Sequence, residues 1–134
     1  MILQSLSGVP AFLVYLLVAT ALLAAYLIIY TSITRHDEFE LIRNNVPGAA
    51  VALGLSAIGF ALPLTSAISH SANVIDCAIW GVIALAVQVA VYYLVRFTIP
   101  DLSERLAKGE LAAAIWLGLT SVTAGMLSAA SMAL

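Results

Sequence analysis

The chain has 134 residues, of which 63% are hydrophobic and 9% are charged, and its mean hydropathy is +1.11. Soluble domains carry roughly 25% charged residues, so the composition is typical of a membrane protein. A net charge of −2 and the lack of a long basic run argue against a nucleic-acid partner. The single cysteine, Cys77, excludes an internal disulfide and a cysteine-cluster metal site.

Four apolar stretches are long enough to cross the hydrocarbon core of a lipid bilayer, which takes about 20 helical residues. They are 9–34, 46–69, 74–97 and 111–134. The first has no preceding basic residue and no small-residue cleavage site, so we interpret it as a retained span rather than a signal peptide. The sequence therefore predicts one all-α, polytopic membrane domain over 1–134, with four transmembrane helices.

All five basic residues fall in or beside the two longer connections between these spans. They are Arg35, Arg43, Arg96, Arg105 and Lys108. Basic residues next to membrane helices stay on the cytoplasmic side. We therefore expect both charged connections to be cytoplasmic and both termini to lie outside.

The two halves of the chain resemble each other at a shift of 64 residues. The aligned positions include 53–56 with 117–120, Asp37 with Asp101, and Glu40 with Glu104. Since each half crosses the membrane twice, both enter it in the same orientation, as a parallel repeat. The pattern predicts two tandem two-helix repeats, about 9–70 and 74–134, which we expect to dimerise into a larger helical bundle.

Each charged connection contains an aspartate followed three residues later by a glutamate, at Asp37 and Glu40 and again at Asp101 and Glu104. Acidic residues favour helix initiation through capping and the helix dipole. Each pair is therefore predicted to begin a short, solvated helix. A cation site formed by these carboxylates is the alternative.

The second span carries small and polar residues at intervals of three and four, so that they share one helical face. They include Ser56, Gly59, Pro63, Ser66 and His70. Pro63 cannot donate a hydrogen bond to the carbonyl of Gly59, and a free carbonyl in a membrane needs another partner. The face is either a close-packing surface, within the bundle or between copies, or, with Thr65, the lining of a small polar path.

Other polar residues in the spans suggest simpler roles. Ser121, Gly125 and Ala129 recur at intervals of four and are predicted to form a helix-packing seam. Gln88 lies deep in the third span, and interhelical hydrogen bonding is its expected role. His70 and Asp76 flank the short central connection and are a candidate outer-edge pair sensitive to pH; the alternative is that both are solvated.

Several segments of the chain resemble those of one known family. They are 38–50, the sequence GFALPLTSAI at 59–68, Asp76 with Trp80 and Gly81, and KGE at 108–110. Together they resemble the domain of unknown function 350 family, YjfL-type small bacterial inner-membrane proteins. Asn44 departs from the usual glycine of the first connection. The resemblance implies a duplicated two-helix unit in the bacterial inner membrane and suggests an envelope-stress partner, but it assigns no activity.

The spans contain no metal-ligand cluster, no Ser/His or Cys/His pairing at depth and no paired carboxylates. The sequence therefore predicts neither an enzyme nor a cofactor. We expect a homo-oligomeric, most simply dimeric, structural or accessory membrane subunit. The alternative is a small channel or ion-coupled transporter, with the Pro63-broken second helix lining the path.

Overall fold

The structure is a computed structural model that describes residues 1–34 and 37–134. Over these residues the chain forms seven helices: α1 (Ile2–Ser7), α2 (Val9–Ile33), α3 (Glu38–Arg43), α4 (Pro47–His70), α5 (Val74–Thr98), α6 (Leu102–Ala107) and α7 (Leu111–Met132). The four long helices are apolar enough to cross a membrane, and α1 extends the first span to Ile2–Ile33. The all-α class with four candidate membrane spans is thus confirmed. Arg35, one of the five basic residues from which the membrane orientation is predicted, lies outside the described residues.

The helices begin where local chemistry satisfies their first N–H groups. Proline occupies the first position of α4, where its missing N–H leaves no bond unmade. The Asn73 side chain accepts a hydrogen bond from the N–H of Asp76 and caps α5. Asp37 caps α3 in the same way, by accepting from Glu40 at 3.2 Å. The capping predicted for Asp101 is absent, because its backbone is left-handed, with φ of 57°, and its side chain makes no such bond.

The two short helices end in the same kind of turn. The residue after each helix's last turn is left-handed, with φ of 62° at Asn45 and 79° at Gly109. Asparagine and glycine tolerate this conformation best. The next residue then donates to a carbonyl five positions back, from Val46 to Leu41 and from Glu110 to Arg105. These turns direct the chain into α4 and α7 from one end of the bundle, where Gly48 lies against Gly109.

Helices α4 and α7 form the centre of the bundle and run parallel to each other. Gly118 lies against Leu55, and the hydroxyl of Ser66 bonds to the carbonyl of Ala129 further along both helices. Helix α5 covers both of them, whereas α2 packs on α4 and α5. Leu106 of the short helix α6 is fully buried in the core.

Helix α2 joins the bundle through its C-terminal half. Its two buried residues are Tyr26 and Tyr30, and the ring of Tyr26 stacks on that of Phe60 at 4.8 Å. Residues 1–14 are all exposed. In a single copy, the N-terminal part of this span therefore faces its surroundings rather than the bundle.

Candidate functional site at the broken helix

The backbones of α4 and α7 meet at two glycines. A Cβ atom on Gly125 would overlap the carbonyl oxygen of Gly59 and lie 2.9 Å from its carbonyl carbon. A Cβ on Gly59 would lie 2.6 Å from the carbonyl oxygen of Ser121. Only residues without a side chain permit this approach. The structure therefore packs the small face of α4 against the small seam of α7 inside one copy.

Gln88 of α5 joins these two helices by hydrogen bonds. Its Nε2 donates to the carbonyl of Gly59 at 3.2 Å and to that of Ser121 at 3.3 Å. The Ser121 hydroxyl donates to Gln88 Oε1 at 2.7 Å. The Gly59 carbonyl is the one that Pro63 cannot bond, so the glutamine amide supplies the missing donor. We call Gly59, Gln88 and Ser121 the polar centre; each lies near the middle of its helix.

The C-terminal half of the α4 face is also held by α7. The hydroxyl of Ser66 donates to the carbonyl of Ala129 at 2.8 Å, and His70 Nδ1 lies 3.0 Å from the carbonyl of Ser66. Thr65 does not share this face: it is exposed, and its hydroxyl bonds to the carbonyl of Leu62. The structure therefore brings together the predicted residues of the face except Thr65.

His70 and Asp76 belong to different local structures. Asp76 accepts a hydrogen bond from the backbone of Ala72 at 3.0 Å, whereas the His70 ring turns back along α4 towards Ser66. No ion pair joins the two within the part of the chain that the structure describes. Their arrangement corresponds to the alternative of two separate helix-end residues. The neighbouring Cys77 is fully buried.

A second polar cluster, in the half of the bundle that carries the short helices α3 and α6, was not predicted. Glu38, on the charged connection, is only 1% exposed and accepts a hydrogen bond from the Thr34 hydroxyl. Tyr30 and Tyr92 lie close to it, and their ring centroids are 5.6 Å apart. Tyrosines near the ends of membrane helices are often anchors at the membrane edge, but these two are buried in the bundle. Tyr26, Tyr30 and Thr34 are four residues apart and so share one face of the first span. This spacing is the sequence signal that could have indicated that the three side chains face the bundle.

Burial raises the pKa of the Glu38 carboxyl above its ordinary value of 4.5, and the hydrogen bond from Thr34 only partly opposes this. Because the folded state then holds the proton more tightly than the unfolded chain, stability is greatest below the unfolded pKa. It falls as the pH rises from about 4.5 through the raised value. We expect Glu38→Gln to remove this decline and to melt at a higher temperature than the wild type at neutral pH.

Thermal unfolding in detergent between about pH 4 and 8 measures this effect. Glu40→Gln is the matched control, since Glu40 is an exposed acid on the same helix. Equal pH profiles for the wild type and Glu38→Gln would contradict the assignment.

The connector carboxylates do not converge as the alternative cation site requires. Among the described residues, no three His, Cys, Asp or Glu side chains are placed to hold a metal ion. Arg105 and Glu110 approach each other to 3.8 Å, with both side chains about half exposed. Such an exposed pair adds little stability.

The fold and its polar centre define a polytopic helical membrane protein. Within that class, the chain belongs to the family described as Domain of Unknown Function (DUF350), whose model matches residues 4–132. It is 35% identical over 127 residues to the UPF0719 inner membrane protein YjfL of Escherichia coli strain K12, covering 95% of this chain and 96% of that protein. The protein of the same description from Escherichia coli O157:H7 matches equally well. No solved structure matches.

These comparisons confirm the family resemblance drawn from the sequence. The family has no assigned activity, and its description names no enzymatic class.

Proposed function

We propose that this protein is a non-enzymatic, structural or accessory subunit of the bacterial inner membrane that acts as a homodimer. The membrane assignment is supported by four apolar helices and by a relative named as an inner membrane protein. The dimer is supported by one surface of α4.

That surface is an exposed row of mostly small residues, which we call the α4 ridge. Its members are Ala50, Gly54, Ile58 and Thr65, which are exposed, and Ala61, which is partly exposed. They lie three or four residues apart and so share one side of the helix. A Cβ added to Gly54 would meet nothing within 4 Å. The ridge therefore has open space in front of it, unlike Gly59 and Gly125, whose surfaces are already used inside the copy.

A second copy fits this ridge. Glycine in a helix lowers helix stability by about 1 kcal/mol relative to alanine, and an exposed glycine recovers nothing from packing within its own chain. A twofold axis along the membrane normal would place one ridge against the other, which satisfies the self-complementarity of a dimer interface. Small residues allow two such helices to approach closely in a membrane.

Cysteine cross-linking tests this dimer. We expect Thr65→Cys and Ala50→Cys to cross-link between copies with a short bismaleimide in native membranes. Leu119→Cys, on the lipid-facing side of α7 and 51% exposed, is the matched control and should stay monomeric. The native Cys77 is fully buried, so it contributes little background. We expect Gly54→Leu to raise the Kd of the dimer at least tenfold, about 1.4 kcal/mol, without changing the fold of each copy.

Two outcomes would count against the dimer. One is equal cross-linking at Leu119 and Thr65, which would indicate random collision. The other is a strictly monomeric protein both in mild detergent and in membranes.

We infer further that the chain is a tandem repeat with both termini outside. Helix α3, Glu38–Arg43, and helix α6, Leu102–Ala107, lie 64 residues apart at both bounds. The left-handed residues Asn45 and Gly109 have the same separation. The orientation rests on Arg43 and on the other basic residues of these connections, which favour the cytoplasmic side.

The alternative, a small channel or ion-coupled transporter, receives less support. Its path would follow Ser56, Gly59, Pro63 and Ser66. In the described part of one copy, α7 closes this face at backbone contact through Gly125. An ion flux through the purified protein in liposomes would favour this alternative over a structural role.

A further inference from the structure

Three hydroxyl groups in the half of the bundle that carries the short helices α3 and α6 are buried without a hydrogen-bond partner. They belong to Tyr30, Ser56 and Tyr92, and none of the three oxygens has a hydrogen-bond partner among the described residues. The three side chains are at most 2% exposed. Most buried polar groups in proteins are hydrogen-bonded, so three exceptions in one region require an explanation.

The three groups belong to one region, between α2, α4 and α5. The Tyr30 and Tyr92 rings meet edge to face at 5.6 Å. The hydroxyl of Ser56 neighbours the phenol of Tyr30 without reaching hydrogen-bond geometry. Glu38 lies close enough to both tyrosines to act on them electrostatically, and it forms the inner border of this region.

We propose that these hydroxyls line an internal hydration site, occupied by one or two ordered water molecules. Leaving a hydroxyl unbonded in an apolar interior costs roughly 1–3 kcal/mol, whereas a water with two to four polar neighbours satisfies several such groups at once. The site is distinct from the polar centre, where Gln88 and Ser121 satisfy each other. It adjoins Glu38, which belongs to the charged connection.

Removal of the hydroxyls distinguishes a hydrated site from a dry one. If water bridges them, Tyr30→Phe and Ser56→Ala should each lower the melting temperature of the full-length protein in detergent by about 3 °C. The double variant should lose less than the sum, because both hydroxyls bond to shared water. Tyr93→Phe, at the neighbouring position and 38% exposed, is the matched control and should melt as the wild type does.

Opposite results would overturn the proposal. In a dry site, removal of an unbonded hydroxyl is neutral or stabilising, so an unchanged or raised melting temperature for Tyr30→Phe contradicts hydration. Strictly additive losses would mean that the hydroxyls share no water.

A measurement on the wild type keeps the test valid if a variant fails to fold. Radiolysis in membranes generates hydroxyl radicals from bound water, which then oxidise the side chains beside it. After correction for intrinsic reactivity, Tyr30 and Tyr92 should be oxidised several-fold faster than the equally buried Phe60 and Leu117, which carry no hydroxyl group and do not line the site. Uniformly slow oxidation of all four side chains would overturn the proposal.

Discussion

Gly125→Leu is expected to prevent the bundle from folding, and even Gly125→Ala to destabilise it by at least about 3 kcal/mol. The added Cβ would overlap the carbonyl oxygen of Gly59. The oxygen and carbon atoms of this carbonyl belong to the backbone of a helix, so they cannot move aside as a side chain does. Helices α4 and α7 would have to separate, and the separation would also break the hydrogen bonds of Gln88 to both.

A graded series of glycine substitutions measures this effect. A Cβ on Gly118 would meet the side chain of Leu55 at 2.5 Å, which can shift in part, so Gly118→Ala should be intermediate. Gly54→Ala meets open space and should raise stability by up to about 1 kcal/mol in detergent that keeps the protein monomeric. The check is chemical or thermal unfolding of the three variants side by side. Equal stability of Gly125→Ala and Gly54→Ala would contradict the backbone contact between α4 and α7.

The four spans were predictable from the sequence because the length of each apolar stretch determines them. The bounds of α4 and α5, Pro47–His70 and Val74–Thr98, fall within a residue of the predicted spans. The first span differs because α1, Ile2–Ser7, continues the helix through Gly8, where the sequence has too few apolar residues in a row to indicate a span. Asp101 was predicted to cap α6, but the chain enters that helix in a left-handed conformation and the Asp101 side chain makes no capping hydrogen bond.

The site was predictable only in its parts. The sequence identified the carbonyl of Gly59 as free, from Pro63, and Gln88 as a buried hydrogen-bonding group. It did not pair them, because the rotation of α5 about its axis depends on packing against two other helices. Glu38 was missed for a related reason: a glutamate on a charged connection suggests solvent, and only the tertiary fold buries it.

The pairing of Gln88 with Gly59 leads to the second large effect, a destabilisation of about 2 kcal/mol by Gln88→Leu. The leucine side chain is similar in size but donates nothing. The Gly59 carbonyl would lose its interhelical donor, and the Ser121 hydroxyl would lose the acceptor that it reaches at 2.7 Å. Both groups would be left near the middle of the membrane, where water does not replace the lost bonds.

Pro63→Ala provides the test of this mechanism, because alanine restores an N–H four residues after Gly59. In the wild type the gain should be small, since Gln88 already bonds that carbonyl at 3.2 Å. In Gln88→Leu the new backbone donor should recover about 1 kcal/mol, so the two substitutions should be coupled. Ser66→Ala is the matched control: it removes another bond between α4 and α7, to Ala129, and should be additive with Pro63→Ala. Unfolding of the wild type, the two single variants and the double variant in one double-mutant cycle decides the point. Additivity of Pro63→Ala with Gln88→Leu would mean that the glutamine amide does not compensate for the proline, and that the polar centre forms for another reason.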